Sequence, residues 1–150
     1  MEKSPRLLES TREHRVFQTR VGVLHRLAAP EPPARPSPSR LQGALEKFLQ
    51  TWGPRLGAHL DLEMRVLAGE AGERLPEAWS PDSFQRERET FETLFDLLRD
   101  GRAWLDRHEP GAEQEIAAAL DDLALLWSQH IRRVDVIGPL LSSREVPGDA

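Results

Sequence analysis

The chain contains neither cysteine nor tyrosine among its 150 residues. The absence of cysteine excludes disulfides, thiolate metal sites, iron–sulfur clusters and a cysteine nucleophile. The absence of tyrosine excludes a phenolate ligand and a tyrosyl radical. Any metal-binding or reactive centre in this protein must therefore be built from imidazoles, carboxylates and other nitrogen or oxygen groups.

Long apolar runs and an excess of basic residues are also missing. The apolar stretches are short and broken by charge, so we expect no membrane span. The first residues, MEKSPRLLES, carry no apolar signal block, which favours a cytoplasmic location. The net charge of −5 argues against a nucleic-acid partner, because phosphates would be repelled. Frequent arginine, alanine and proline are typical of a GC-rich bacterial source.

Strand signals are nearly absent, whereas helical periodicity recurs four times. Apolar residues at helical spacing predict helices over about residues 5–27, 39–67, 81–107 and 112–137. A proline-rich connector separates the first two helices, and Ser80 can cap the third. GPLL is expected to end the fourth helix, leaving residues 142–150 as a loose tail. We therefore predict one all-α domain, an up-down-up-down four-helix bundle with its core over about residues 5–141.

Polar residues interrupt the apolar stripes of these helices. The stretch AHLDLE places His59 four residues before Glu63, so an imidazole and a carboxylate lie one helical turn apart. We counted residues from the connectors that neighbouring helices share, at a rise of about 1.5 Å per residue. The count brings together four residues of three helices: His59, Glu63, Arg88 and His130.

The other three histidines fit this layer less well. His14 is displaced by about six residues, on the order of 9 Å, which an extended connector can span. His25 lies about 16 Å further along the first helix, and His108 falls in a connector. We expect His25 and His108 to be ordinary histidines.

Imidazoles and carboxylates that converge without sulfur suit iron, manganese or zinc. A buried carboxylate without a cation is costly. From the residues alone, two interpretations remain open: a metal centre, or a hydrogen-bonded polar network in the bundle core.

The order of these motifs carries a family resemblance. His14 in the first helix, HLDLE in the second and HIRRVD in the fourth together resemble the hemerythrin-like, or HHE cation-binding, family over about residues 7–141. The resemblance implies a four-helix bundle around a non-haem di-iron centre bridged by Glu63 and Asp135. It also implies a protein that binds, senses or stores oxygen, nitric oxide or iron. Ferritin-like bundles are rejected, because no histidine here follows a glutamate by three residues.

The third helix departs from the family pattern, which implies histidine ligands there. The sequence QRERETFETLFDLL has none, and Arg88 aligns with the first histidine position. Arginine stays protonated and cannot bind a metal, so Glu89 or Glu92 would have to serve the second ion. Alternatively, Arg88 replaces that ion and pairs with Glu63, Asp135 or Glu92, which predicts at most one metal per chain.

The predicted cofactor is iron, as one or two ions, and the predicted partner is a small diatomic ligand.

The assignment of Asp135 as a metal ligand depends on the family resemblance, because its side chain is rotated about 140° from that of His130 on a regular helix. No serine–histidine–acid arrangement stands out, so a non-enzymatic role is favoured. The alternative function is a metal-free bundle that acts as a regulatory or protein-interaction module. The predicted metal ligands are His14, His59, Glu63, His130 and Asp135.

Overall fold

A computed structural model of the chain describes residues 5–71 and 81–142. Four helices account for most of this part: α1 (Pro5–Ala28), α2 (Pro38–Ala71), α3 (Pro81–Asp106) and α4 (Ala112–Ser142). The described ranges contain no strand, which confirms the predicted all-α class. None of the helices in these ranges combines the length and the apolar character needed to cross a bilayer.

The helices form an up-down-up-down bundle, as predicted. Both α1 and α3 pack against α2 and α4, and α2 also touches α4 across the diagonal. Polar pairs show that α2 and α3 run in opposite directions. Gln42 near the start of α2 donates a hydrogen bond to Asp106 at the end of α3, whereas Asp61 late in α2 pairs with Arg88 early in α3.

The helix boundaries agree with the predicted ones to within a few residues, except at the ends of α2 and α4. α4 continues through Gly138 and Pro139 to Ser142, so the prediction that GPLL ends it was wrong. A proline removes one backbone donor, but the turns on either side of it keep their own hydrogen bonds. The predicted cap Ser80 and the tail residues 143–150 lie outside the described residues.

A Schellman motif ends α3 and reverses the chain into α4. The amide of Glu109 donates to the carbonyl of Trp104 at 2.9 Å, and the amide of His108 donates to the carbonyl of Leu105 at 3.1 Å. His108 has the left-handed backbone conformation (φ 54°) that this motif requires. It lies in the connector, as predicted, and the short reversal fixes the register of α4 against α3.

Close packing between α3 and α4 depends on Gly101. This residue is buried, and a Cβ added to it would lie 2.5 Å from Cγ1 of Ile116 on α4. Gly43 of α2 differs, because nothing lies within 4 Å of the position of its missing Cβ. Gly101 therefore sets the separation of α3 and α4, the helices that carry Glu87 and His130.

Replacing Gly101 by alanine should lower the free energy of unfolding by about 1–3 kcal/mol through overpacking. Gly43→Ala is the matched control and should raise it by up to about 1 kcal/mol, because alanine is the better helix former. Urea unfolding followed by far-UV circular dichroism measures both. Stabilisation of equal size by the two substitutions would show that the α3–α4 spacing does not depend on Gly101.

Candidate metal centre

One layer of the bundle contains a buried group of potential metal ligands. The helices α1, α2 and α4 contribute to it, and one nitrogen or oxygen atom of each residue lies within 4.8 Å of those of the others. The candidate ligands continue the apolar stripes of their helices: the buried Phe17 follows His14 by three positions, and His130 follows the buried Trp127 by three positions. All four residues are 4% exposed or less. The group consists of His14, His59, Glu63 and His130.

The carboxylate of Glu63 lies between the three imidazoles. Its Oε1 is 2.7 Å from Nε2 of His14 and 2.7 Å from Nε2 of His59, and its Oε2 is 2.7 Å from Nε2 of His130. The contact with His14 has hydrogen-bond geometry. Nε2 of His59 and Nε2 of His130 are equally close but make no directed hydrogen bond. All three rings thus present the same nitrogen to one carboxylate.

The group carries buried charge of both signs. Burial raises the pKa of Glu63, but the contacts with His130, His14 and His59 outweigh it and hold that pKa well below the ordinary value of 4.5. Burial lowers the pKa of His130, whereas its contacts with Glu63 and Glu87 raise it from 6.5 to about 9. At neutral pH and without metal, a carboxylate at Glu63 is therefore matched by an imidazolium at His130.

Two further carboxylates contact the opposite nitrogens of two of the rings. Nδ1 of His130 lies 2.5 Å from Oε1 of Glu87, a residue of α3 that is 7% exposed. Nδ1 of His59 lies 2.7 Å from Oε2 of Glu13 on α1. A neutral imidazole whose Nδ1–H donates to a carboxylate has its Nε2 lone pair available for a metal. Both rings are therefore oriented as metal ligands are.

Trp127 borders the group on its apolar side. Its indole Nε1 donates a hydrogen bond to the backbone carbonyl of His14 at 3.0 Å, which links α4 to α1. Its ring stacks on that of His130, with centroids 5.1 Å apart and planes inclined by 23°. Phe17 and Phe91 pack against the indole, at 4.1 Å and 5.7 Å between centroids. This aromatic layer separates the polar group from the apolar core.

The donor set fits a first-row transition metal. Three imidazole nitrogens and one carboxylate oxygen suit iron(II), manganese(II) or zinc(II), whereas magnesium and calcium prefer oxygen alone. Nε2 of His59 and Nε2 of His130 are buried without a directed hydrogen bond. A bound cation would give both nitrogens a partner. The four side chains can hold one such ion.

The other predicted site residues lie outside this group. Asp135 is exposed, as expected from its rotation of about 140° relative to His130 on a regular helix. Arg88 is paired with Asp61 and, at 3.5 Å, with Glu92, which was one of its predicted partners. Its side chain is about one-third exposed and lines a groove of about 570 Å³ between α2 and α3. Glu89 and Glu92 are exposed.

Sequence reasoning missed Glu87, the α3 residue that reaches the group. Its spacing carried a signal, because Glu87 lies three residues after Phe84 and four before Phe91, both of which are buried. Alignment to the family pattern selected Arg88 instead, which lies about 100° further around the helix. Glu13 had no comparable signal, since it is only partly buried and reaches His59 from the side of α1.

The metal-free chain should lose stability as the pH rises from about 6.5 to about 9. The pKa of His130 is raised by folding, so its contribution is complete below 6.5 and disappears as the pH passes through the folded value of about 9. Glu63 has a lowered pKa, so its contribution is lost only in acid, below about 4.5. Urea unfolding at several pH values, with a chelator present, measures this pH dependence of the free energy of unfolding.

The control for that experiment is His130→Gln, which should be less stable at neutral pH and lack the decline between pH 6.5 and 9. A wild-type chain whose stability is flat across this interval would contradict the charge pairing between Glu63 and His130.

Comparison of the chain with protein-family models, curated proteins and solved structures finds no match. The hemerythrin-like resemblance therefore stays a prediction. What the described residues establish is a four-helix bundle with a buried group of three histidines and one glutamate that could hold a metal ion.

Proposed function

We propose that this protein binds one divalent transition-metal ion, iron(II) in the first place, and uses the site to bind or sense a small diatomic gas. The observation that carries the proposal is the convergence of three imidazole Nε2 atoms on the Glu63 carboxylate, at 2.7 Å each. His14, His59 and His130 come from three helices, so this convergence requires the whole bundle rather than one local motif.

The arrangement supports one ion rather than two. A second ion would need further ligands from α3, where the resemblance implies histidines. The α3 side chain that reaches the group is Glu87, and it contacts Nδ1 of His130 on the side of the ring away from Glu63. Glu89, Glu92 and Asp135 are exposed. A one-ion site also favours binding or sensing over iron storage.

The choice of iron and of a diatomic ligand draws on chemistry and on the family resemblance. Four protein donors leave coordination positions free on an iron(II) ion, which would supply reversible affinity for oxygen or nitric oxide. The chain itself orients the imidazoles and excludes water, since the four ligands are nearly completely buried and Trp127 covers one side. Such a setting admits a small uncharged molecule more readily than a larger or charged one.

A metal-free regulatory bundle is the second candidate, and one observation favours it. The ionised Glu63 already has a charged partner in His130, whose other nitrogen contacts Glu87. A buried ion pair with hydrogen-bonded partners can persist without a cation. The two candidates differ in metal content, which is measured directly.

Chain reconstituted with ferrous iron under anaerobic conditions should hold about one metal ion, measured by elemental analysis after removal of unbound metal. Glu63→Gln and His59→Ala should reduce the content to near zero, because each removes a ligand. His25→Ala is the matched control, since His25 is partly exposed and pairs with Asp121 at the surface. Its metal content should equal that of the wild type.

A content near two metal ions per chain would contradict the single-ion site and would require the ligands of a di-metal centre. A content near zero in the wild type, also with manganese and zinc, would leave the metal-free bundle. Bound metal should also raise thermal stability, by about 2.7 kcal/mol when free metal is at 100 times its dissociation constant.

Nitric oxide added to the ferrous chain should produce a new visible absorption band and a new electron paramagnetic resonance signal. We expect these changes because the protein supplies four donor atoms and leaves coordination positions on the ion free for a small ligand. The zinc-loaded chain is the control and should show neither change. A ferrous chain with one bound ion and no response to nitric oxide or oxygen would refute gas binding while leaving metal binding intact.

A further inference from the structure

Two of the candidate ligands belong to longer polar chains that reach the protein surface. Each chain runs from a ligand imidazole to a glutamate on a neighbouring helix, and from that glutamate to an arginine. The first contains His130, Glu87 and Arg133, and the second contains His59, Glu13 and Arg55.

The chain at His130 is short and mostly buried. Oε1 of Glu87 lies 2.5 Å from Nδ1 of His130, and its Oε2 accepts a hydrogen bond of 2.5 Å from Nη1 of Arg133. Nη2 of Arg133 donates to Oγ of Ser83 at 2.7 Å, which ties the guanidinium to the first turn of α3. Both oxygens of the carboxylate are therefore engaged, each by a different partner on α4.

The chain at His59 has the same order but is looser. Oε2 of Glu13 lies 2.7 Å from Nδ1 of His59, and its Oε1 accepts hydrogen bonds of 3.3 Å and 3.4 Å from Arg55. The side chain of Glu13 is 20% exposed, compared with 5% for that of Glu87. Arg55 stacks over the ring of Trp52, with its guanidinium carbon 4.6 Å from the ring centroid.

We propose that Glu87 and Glu13 are positioning residues that hold His130 and His59 in the orientation and tautomer needed to bind a metal through Nε2. The inference rests on the proposed function, because it concerns the same site. A half-turn of an imidazole about its Cβ–Cγ bond places Cε1 where Nε2 was, and the broad energy profile of that rotation does not by itself hold Nε2 in place. A carboxylate at Nδ1 selects the Nδ1–H tautomer and makes Nε2 the more basic donor.

The arginines complete the arrangement by neutralising the outer carboxylates. With neutral imidazoles, Glu13, Glu63 and Glu87 carry three negative charges, and Arg55 and Arg133 carry two positive ones. One negative charge, that of Glu63, remains for a divalent ion. Without the arginines, the outer carboxylates would compete for the protons of the imidazoles and for the ion itself.

Glu87 should matter more than Glu13. It is more deeply buried, its contacts are shorter, and a charged hydrogen bond is stronger where water does not screen it. Loss of the carboxylate that supports a metal-bound histidine generally weakens metal binding by about 10–100-fold. We expect Glu87→Gln to lie in this range and Glu13→Gln near its lower end.

The test measures the affinity of the 150-residue chain for Co²⁺, by competition with a chromophoric chelator. The variants are Glu87→Gln, which keeps an acceptor for Nδ1–H but loses the charge, and Glu87→Leu, which loses both. The matched control is Glu46→Gln, which breaks an exposed pair with Arg102 at 3.1 Å far from the site. The visible spectrum of bound Co²⁺ reports the geometry around the ion independently of affinity.

The expected order of Co²⁺ affinity is wild type equal to Glu46→Gln, then Glu87→Gln about tenfold weaker, then Glu87→Leu about 100-fold weaker with an altered spectrum. The ¹⁵N resonances of the His130 ring in the zinc-loaded chain should show one fixed ring with Nε2 bound to zinc in the wild type, and exchange between ring orientations in Glu87→Leu. A role in folding alone would change neither the spectrum of the bound ion nor the order of this ring.

Equal affinity in the wild type and both Glu87 variants would overturn the inference and leave metal binding standing. A wild-type chain that binds no Co²⁺ would overturn the proposed function, and this inference with it. If Glu87→Leu does not fold by circular dichroism, Arg133→Gln takes its place. Arg133 is 28% exposed, and its loss should weaken Co²⁺ binding by less than that of Glu87. Unchanged affinity in both Glu87→Gln and Arg133→Gln would also overturn the inference.

Discussion

The contact between the Glu63 carboxylate and three imidazoles is the constraint that the interior of this bundle must satisfy. A carboxylate that is 4% exposed is strongly destabilising unless partners offset the loss of water. Those partners come from helices that are distant in sequence, since His14 and His130 belong to the first and the last helix. The helix positions, the aromatic layer and the outer charges are all arranged so that these rings meet one carboxylate.

The surrounding fold supplies that arrangement through a few local features. Gly101 allows α3 to approach α4, and the reversal at His108 sets the register between them. Together they bring Glu87 to Nδ1 of His130. On the opposite side, the indole of Trp127 joins α4 to α1 at the carbonyl of His14. Each feature acts on backbone placement, which is why side chains from separate helices can share one point.

Much of this could be predicted from the sequence, because helical periodicity is a local property. It identified the fold class, most boundaries and the inward faces of His59, Glu63 and His130. The residue of α3 that points into the bundle was harder to predict, because the side chains of consecutive residues are rotated by about 100° around the helix axis. Alignment to the hemerythrin-like pattern selected Arg88, although the spacing of Phe84 and Phe91, which are both buried, pointed to Glu87. The position of His14 along the bundle axis was harder still to predict, because the sequence does not give the length that the connector before α2 spans. Counting residues from that connector therefore placed His14 about six residues away from the layer of His59.

Because α1 packs against α4, the bundle can close only after α4 has been synthesised. During synthesis, α1 and α2 emerge long before α4, so His14, His59 and Glu63 are available while His130 is not. If the proposed ion binds, a partial set of ligands would hold it weakly, and complete coordination would require α4 to dock on α1. An ion bound at that stage would join α1 to α4 and oppose their separation. Metal occupancy would then mark molecules in which all four helices have assembled.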